Sequence, residues 1–429
     1  MGSLFALSSA NLSRIHVGDV VKPKAVLAYC REKDIRAIDL RFADLGGDWK
    51  HITIPASSLT EHTFEMGFGQ EVMLRGVDGE ARQPAVLVPI AEAHFLDPVV
   101  EHPTLVILAS ILDGMTREES VLDSRSVAVR SVEYLQSTGI ADTVSVRAHQ
   151  PFSLQIAQPE NFDDSVPSSR LFLACNSHDE DFVFRCQLAS LATEAGMIFD
   201  RHYRSELSTS EIVLGSSGIP DLCDDLMMIR YLIERLAVQR GRRRIDTVAA
   251  LTTQWTFARA GESMFSGSSP LGLSEMGWYA IGGILQHAAA LSAVAIATPG
   301  RACDTEIRVS KSVHVSDPLA LCGVILGHQD SRQRSIAYRG LPPDGNLYLQ
   351  FASVLMAMID GIQNKYPVSH GFRSRDDEST GTNPPSNGES MQWSIADLRQ
   401  SLQQDSEFLL VDEVFSESLL QALAQNLEP

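Results

Sequence analysis

Arg36-Ala37-Ile38-Asp39-Leu40-Arg41-Phe42, then Gly46-Gly47-Asp48, then Trp49-Lys50-His51-Ile52-Thr53-Ile54-Pro55 is the stretch from which the rest of the chain can be ordered. Polar and apolar side chains alternate through both runs. A strand sends successive side chains to opposite faces, so the pattern predicts a hairpin with one polar and one apolar face. Further strands are expected at 71–74, 85–90 and 104–108, which makes the N-terminal part a small strand-rich unit.

Beyond it the spacing becomes helical. Asp123-Ser124-Arg125-Ser126 opens a predicted helix carrying Val127, Val132 and Leu135, with Gly139 at its end. Asp179-Glu180-Asp181 puts acids in the first turn of another, in which Phe182, Leu188, Leu191 and Ala195 share a face before Gly196. Pro220 opens a third, lined by Leu222, Leu226, Ile229, Ile233 and Leu236 and followed by Gly241. Ser274 caps a long apolar helix expected to run to Ala297, and Asn346 caps one carrying Phe351, Leu355, Ile359 and Ile362. Residues 369–390 are too polar to offset the entropy of ordering and read as a mobile loop. Two short amphipathic helices follow, at 394–402 and 416–427.

The 429 residues are 44% hydrophobic and 21% charged, enough for a sizeable core in one large domain with a smaller one. Lys and Arg total 35 against 54 Asp and Glu, a formal charge of −19, which repels phosphate backbones and anionic membranes. Neither nucleic acid nor a membrane is expected as a partner. The run Arg240-Gly241-Arg242-Arg243-Arg244 is read as cations complementing a helix C-terminus in preference to an anion site. Cys30, Cys175, Cys186, Cys223, Cys303 and Cys322 show neither zinc spacing nor a disulfide framework. The start, Met1-Gly2-Ser3-Leu4-Phe5-Ala6, lacks signal-peptide character, and the longest apolar stretch, 288–297, is too short to span a bilayer. A cytoplasmic location is expected.

Four separated blocks resemble the glutamine synthetase family in its own order. The hairpin, continued by Ala43-Asp44 and Ala56, is similar to the opening β-grasp segment of the bacterial enzymes. Asp123 to Ala128 with Tyr134-Leu135 and Thr138-Gly139-Ile140-Ala141-Asp142-Thr143-Val144 resembles the linker into the large domain. Gly272-Leu273-Ser274 with Ile281-Gly282-Gly283-Ile284-Leu285-Gln286-His287-Ala288 resembles a core helix of that domain. So does the segment from Asn346 through Asp360-Gly361-Ile362-Gln363-Asn364-Lys365, and the tail Ser406-Glu407-Phe408-Leu409 fits as well. The resemblance implies an α+β fold: an N-terminal β-grasp domain (1–116) and a large α/β domain with a curved antiparallel sheet flanked by helices (117–368). The loop (369–390) and a C-terminal helical segment (391–429) complete it.

It also implies a reaction in which ATP phosphorylates glutamate and ammonia displaces the phosphate, with divalent cations held by glutamates and a histidine. Hard cations need several oxygen ligands, and the transferring phosphoryl group needs its charge neutralised. The family's E-P-E-F-F strand aligns with His149-Gln150-Pro151-Phe152-Ser153, so His149 and Pro151 stand in place of two glutamates. Ser205 and Val213 occupy the next two ligand positions. Glu206 and Glu211 lie nearby but out of register, and a one-residue slip on a strand turns a side chain to the other face. The strand expected to carry a His-x-His pair reads Thr253-Gln254-Trp255-Thr256-Phe257-Ala258-Arg259-Ala260. Arg334-Ser335-Ile336-Ala337-Tyr338-Arg339 matches R-x-I-E-x-R, with Ala337 for the glutamate and Arg339 retained. Arg339 is a candidate anion-binding residue or a structural ion-pair partner.

Other constellations carry less. His149, His178 and His202 with Glu206 have no ligand spacing. Asp224-Asp225 and Asp163-Asp164 suit capping or solvation, and Gly215-Ser216-Ser217-Gly218 reads as a connecting loop rather than a phosphate nest. No catalytic residue, metal or cofactor is therefore expected. The sequence favours a non-catalytic assembly, scaffold or regulatory protein, forming a ring by itself or with an active relative. The alternative is a ligase making amide or γ-glutamyl bonds on another substrate, for which Mg and ATP would be required. A small-molecule sensor is a third reading.

Overall fold

The turn inside the hairpin reaches across the whole molecule. Gly47 has φ +82°, and a Cβ there would fall 2.6 Å from the Cα of Asn346; the Asn346 side-chain amide donates to the carbonyls of Asp44 and Leu45 at 3.2 Å. The structure is a computed structural model describing residues 22–76, 79–120, 123–156, 172–173, 175, 179–205, 209–245, 249–297, 307–313, 320–326, 333–368 and 390–427.

The N-terminal part contains α1 (Pro23–Glu32), β1 (Ala37–Ala43), β2 (Trp49–Pro55), α2 (Glu61–Met66), β3 (Phe68–Gly76), β4 (Gly79–Leu96) and β5 (Thr104–Asp113). They form a sheet of order β2-β1-β5-β4-β3, in which β1 and β5 run parallel. The hairpin pairs as the alternation predicts, Ala37 with Pro55 through Ala43 with Trp49. The polar face of β1, however, is buried, while His51 and Thr53 opposite it on β2 stay exposed. Ile38 and Leu40 pack with Val26, Leu105 and Ile107 on one side, while Asp39 and Arg41 on the other are 4% and 5% exposed.

Arg41 donates to Asp39 and Asp97, each at 2.7 Å, and its guanidinium lies 4.2 Å from the ring centre of Tyr231 and 5.1 Å from that of Trp49. Burial works against its charge, but the two carboxylates outweigh it and raise its pKa. A buried cation is tolerable only when paired in this way.

The second part contains α3 (Ser124–Ser137), β6 (Thr143–Ile156), α4 (Phe182–Glu194), β7 (Phe199–Arg204), β8 (Ser210–Ser217), α5 (Ile219–Gln239), β9 (Arg242–Ile245), β10 (Leu251–Arg259) and β11 (Glu262–Ser263). It continues with α6 (Glu275–Gln286), α7 (Ala288–Ile296), β12 (Ile307–Val313), β13 (Ala320–Leu326), β14 (Arg334–Leu341), α8 (Leu347–Asn364), β15 (Ser390–Trp393), α9 (Ile395–Gln404), α10 (Glu407–Leu410) and α11 (Glu417–Asn426). The large sheet has the order β15-β12-β13-β14-β10-β6-β8-β7, with β11 on β10 and β9 on β6. It is antiparallel apart from the β12–β13 pair.

One face of this sheet packs on α8. Trp255 and Phe351 meet with ring centres 5.6 Å apart and planes tilted by 42°, and Val146, Ala148, Phe152, Trp255, Phe257 and Ile336 are all fully buried. Burying a side chain of the Val, Leu or Phe kind stabilises by about 1.5–3 kcal/mol. Helix α6 presses onto α8 through glycine: a Cβ at Gly283 would meet the Ala357 carbonyl at 2.0 Å.

Several expectations need correction. The acids at 179–181 precede α4 instead of filling its first turn; Asp179 accepts two hydrogen bonds from Arg185 at 2.6 and 2.8 Å, and Phe182 is 52% exposed. The long apolar helix is two helices, α6 and α7, bent by 61° at His287. That imidazole sits between Asp405 at 2.8 Å and Asp360 at 2.9 Å, against the Phe408 ring at 3.9 Å. The arginine run begins at the end of α5 but continues as strand β9, paired with β6. Its members bond Gln187, Asp181, Gln155 and Asp344. Gly215-Ser216-Ser217 belongs to strand β8, not a loop. The expected mobile loop falls on 369–389, outside the described residues, and Ser390 already belongs to β15. Among the described residues no single helix is long and apolar enough to cross a membrane; the bent α6–α7 pair passes by length and composition only.

Candidate functional site

Alternation on β6 divides its side chains. Val144, Val146, Ala148, Gln150 and Phe152 face the core, so Ser145, Arg147, His149 and Pro151 face away from α8. Register extends this second face across the sheet. His149 pairs with Val213 and Pro151 with Glu211 on β8, Val213 with Arg201 and Glu211 with Tyr203 on β7, and His149 with Thr252 and Arg147 with Gln254 on β10. Gln254 pairs with Ala337, which puts Ser335, Ala337 and Arg339 of β14 on the same face.

The structure thus brings His149, Pro151 and Val213 together, with Ala337 one strand beyond β10. Arg339 is half-buried two residues further along β14. Ser205 lies apart, just after β7, where its N–H donates to the Thr209 carbonyl at 2.8 Å and its hydroxyl meets that of Thr209 at 2.6 Å.

The register expectation fails for Glu211. It is two residues from Val213, not one, so it shares the face and takes part in the site. Tyr203 donates its hydroxyl to Glu211 Oε2 at 2.5 Å, and the same oxygen of Tyr203 lies 3.1 Å from His149 Nδ1. The Gln254 amide nitrogen lies 3.0 Å from His149 Nε2. Only one proton arrangement satisfies all four groups with a neutral imidazole. Gln254 donates to Nε2, Nδ1–H donates to the tyrosine oxygen, and the tyrosine proton goes to the carboxylate. The result is a directed relay across β10, β6, β7 and β8.

The described residues of this face do not fit a set of dications. The side chains of Pro151, Val213 and Ala337 carry no ligand atom, the Ser205 hydroxyl is engaged by Thr209, and both imidazole nitrogens of His149 and one oxygen of Glu211 are committed to the relay. Magnesium-like ions need about six oxygens in near-octahedral geometry. Among the described residues no group of three or more His, Cys, Asp or Glu converges.

The other constellations resolve structurally. His202 turns toward α4, taking a hydrogen bond from Arg185 Nε at 3.3 Å, on the opposite face from His149. Burial and Arg185 lower its pKa. Asp224 accepts from Arg125 at 2.9 and 3.1 Å and from the Tyr348 hydroxyl at 2.8 Å. His178, Glu206, Asp163 and Asp164 lie outside the described residues. Sequence reasoning missed Arg147, Tyr203 and Gln254; only the strand register, which joins residues far apart in the chain, could have found them.

A family model described as the glutamine synthetase catalytic domain matches residues 121–426. The chain is 28% identical over 445 aligned positions to the glutamine synthetase of Aquifex aeolicus (strain VF5), with 93% of each covered. It is 26% identical over 452 positions to that of Escherichia coli (strain K12), covering 92% of this chain and 93% of the relative. In fold it is similar to the electron cryomicroscopy structure of Plasmodium falciparum glutamine synthetase, with a TM-score of 0.80 at 15% identity and 96% of each chain covered.

Proposed function

We propose that this chain, which belongs to the glutamine synthetase family, has given up ATP- and Mg-dependent glutamine synthesis and acts as a non-catalytic assembly, scaffold or regulatory subunit in the cytoplasm. The observation that carries the reading is the relay itself. The positions that the family resemblance assigns to metal-binding glutamates hold His149, Pro151, Ser205, Val213 and Ala337, and the carboxylate of Glu211 beside them is bonded to Tyr203 at 2.5 Å.

Without cations, the negative charge of a transferring phosphoryl group has no neutralising partner of the required strength. The parts suited to assembly remain: the hairpin sheet spanning β1 to β5, proposed as the 1–116 domain, and the helices α6 and α8 of the 117–368 domain. A ring of this chain alone, or one mixed with an active relative, is the assembly proposed.

Calorimetry with ATP, with and without Mg2+, tests the loss of chemistry: metal-dependent micromolar binding sinks it. Native mass measurement, alone and after mixing with an active synthetase, tests assembly, and a monomer that ignores the synthetase counts against a ring subunit. A second reading draws on Arg147, Arg201 and Arg339 on the site face. It is a ligase forming amide or γ-glutamyl bonds, and ADP release dependent on an added amine would favour it.

A further inference from the structure

A helix bends sharply only for a local cause, and the 61° bend between α6 and α7 contains no proline. Its cause is a side chain gripped from outside. His287 is 4% exposed, and its nitrogens lie 2.9 Å from Asp360 of α8 and 2.8 Å from Asp405, which ends α9. Phe408 of α10 stacks on the ring. Facing two carboxylates, both nitrogens have to donate, and only the protonated imidazole carries both protons. Burial opposes that charge, but Asp360 and Asp405 raise the pKa to about 9. Tyr366, edge-on to the ring, is the other titratable group facing it among the described residues; burial and then Asp360 raise its pKa, so it stays neutral while the histidine titrates.

Without its extra proton the imidazole turns a lone pair toward one carboxylate. Asp360 lies within α8 and keeps a hydrogen bond from Asn364 at 2.9 Å. The Asp405 carboxylate accepts only from His287 among the described residues, and its side chain is already 37% exposed. It is therefore the partner that can turn away into water. On either side the C-terminal segment is held by groups that do not titrate in this range. Leu398 and Leu402 of α9 are buried, Arg130 donates to the Val414 carbonyl at 3.1 and 3.3 Å, and Asn426 of α11 donates to the Ala297 carbonyl at 3.2 Å.

We infer that residues 405–410 form a proton-dependent latch, closed on the helix bend while His287 is charged and opening locally, with α9 and α11 still docked, once it is neutral. In the open form the histidine returns to its ordinary value, so the advantage of the closed form is complete below that value. It is lost, by up to about tenfold per pH unit, as pH rises from there through about 9. The latch stands apart from the relay face, and neither His287 nor its partners belong to the positions assigned to metal ligands.

Amide hydrogen exchange of the full-length protein, read peptide by peptide in a mass spectrometer and expressed as protection relative to the unstructured rate at each pH, tests the latch. Protection across 405–410 is expected to fall at least about tenfold from pH 7 to pH 9, and at pH 9 to lie at least about tenfold below that of 417–426. His287→Gln should show the low value already at pH 7 and no change with pH. Asp405→Asn, a milder change at a partly exposed residue, guards against a variant that fails to fold and should cut the fall to a few-fold. Protection across 405–410 that ignores pH in the parent overturns the latch, as does a pH-dependent fall that persists in His287→Gln. Exchange at 405–410 no faster than at 417–426 at pH 9 overturns it too, since the segment then opens only with the whole domain.

Discussion

The two faces of strand β6 have had different fates. On the face toward α8, Val146, Ala148 and Phe152 are fully buried against Trp255, Phe257 and Phe351, an apolar layer any member of this fold needs. On the opposite face, one residue along at each step, His149 and Pro151 stand where the resemblance puts glutamates, and His149 is held by hydrogen bonds to Tyr203 and Gln254. Packing depends on volume and tolerates apolar exchange, so the fold persists at 26–28% identity to its relatives. Metal chemistry depends on particular oxygens at fixed positions, so the proposed loss of it is compatible with a fold that is kept.

This contrast can be broken in several ways. The largest effect belongs to the packed face. Trp255→Ala removes a fully buried ring and the Nε1–H bond to Thr253 at 2.8 Å. It is expected to cost about 3–5 kcal/mol in denaturant unfolding; a loss under about 1 kcal/mol means the core is not the fixed part of the comparison.

Next is the clamp at the α6–α7 bend. Burial of His287 works against its charge, but Asp360 and Asp405 prevail and its pKa is raised to about 9. The folded value exceeds the unfolded one, so the contribution is complete below the ordinary histidine pKa and is lost as pH rises through about 9. Because Asp405 is partly exposed, the size is set on the order of 2 kcal/mol. Stability of the parent should fall across this window and that of His287→Gln should not, as chemical unfolding at a series of pH values will read.

On the site face the effects shrink. Tyr203→Phe cuts the relay between His149 and Glu211 and should lower stability by about 1 kcal/mol. Combined with Gln254→Leu it should depart from additivity, although the two residues do not bond each other. Strict additivity would mean the relay is only a set of separate bonds. Smallest of all, Mg2+ should leave the melting temperature unchanged, since a ligand that does not bind the native state cannot stabilise it. A rise with Mg2+ concentration would erase the difference between the faces.

What was legible in the sequence was local. Asp123, Ser274, Asn346, Ser394 and Ser416 each accept the N–H three residues on, because a cap needs only its own turn. The hairpin register followed from alternation for the same reason. The break at His287 was not legible, since it depends on Asp360 and on Asp405, 118 residues away. The assignment of His149, Pro151, Ser205, Val213 and Ala337 to ligand positions rests on their flanks in the sequence alone, whereas the facing of Glu211 was misjudged, because facing is decided by parity along the strand and by what the neighbouring strand presents. Tyr203, 54 residues from His149, and Gln254, 105 residues from it, enter the site only through pairing.

The cage around Arg41 sets a timetable for synthesis. Asp97, which holds the guanidinium, itself accepts the hydroxyl of Tyr231 at 2.9 Å, and that tyrosine follows it by 134 residues. At ribosomal rates of about 5–20 residues per second, the N-terminal sheet waits roughly 7 to 27 s for its last ring to be translated. Through that interval a cation and two carboxylates at the heart of the hairpin must remain wet. A fragment ending before α5 should therefore emerge as a loose, hydrated sheet, and the nascent chain is most in need of a chaperone during those seconds.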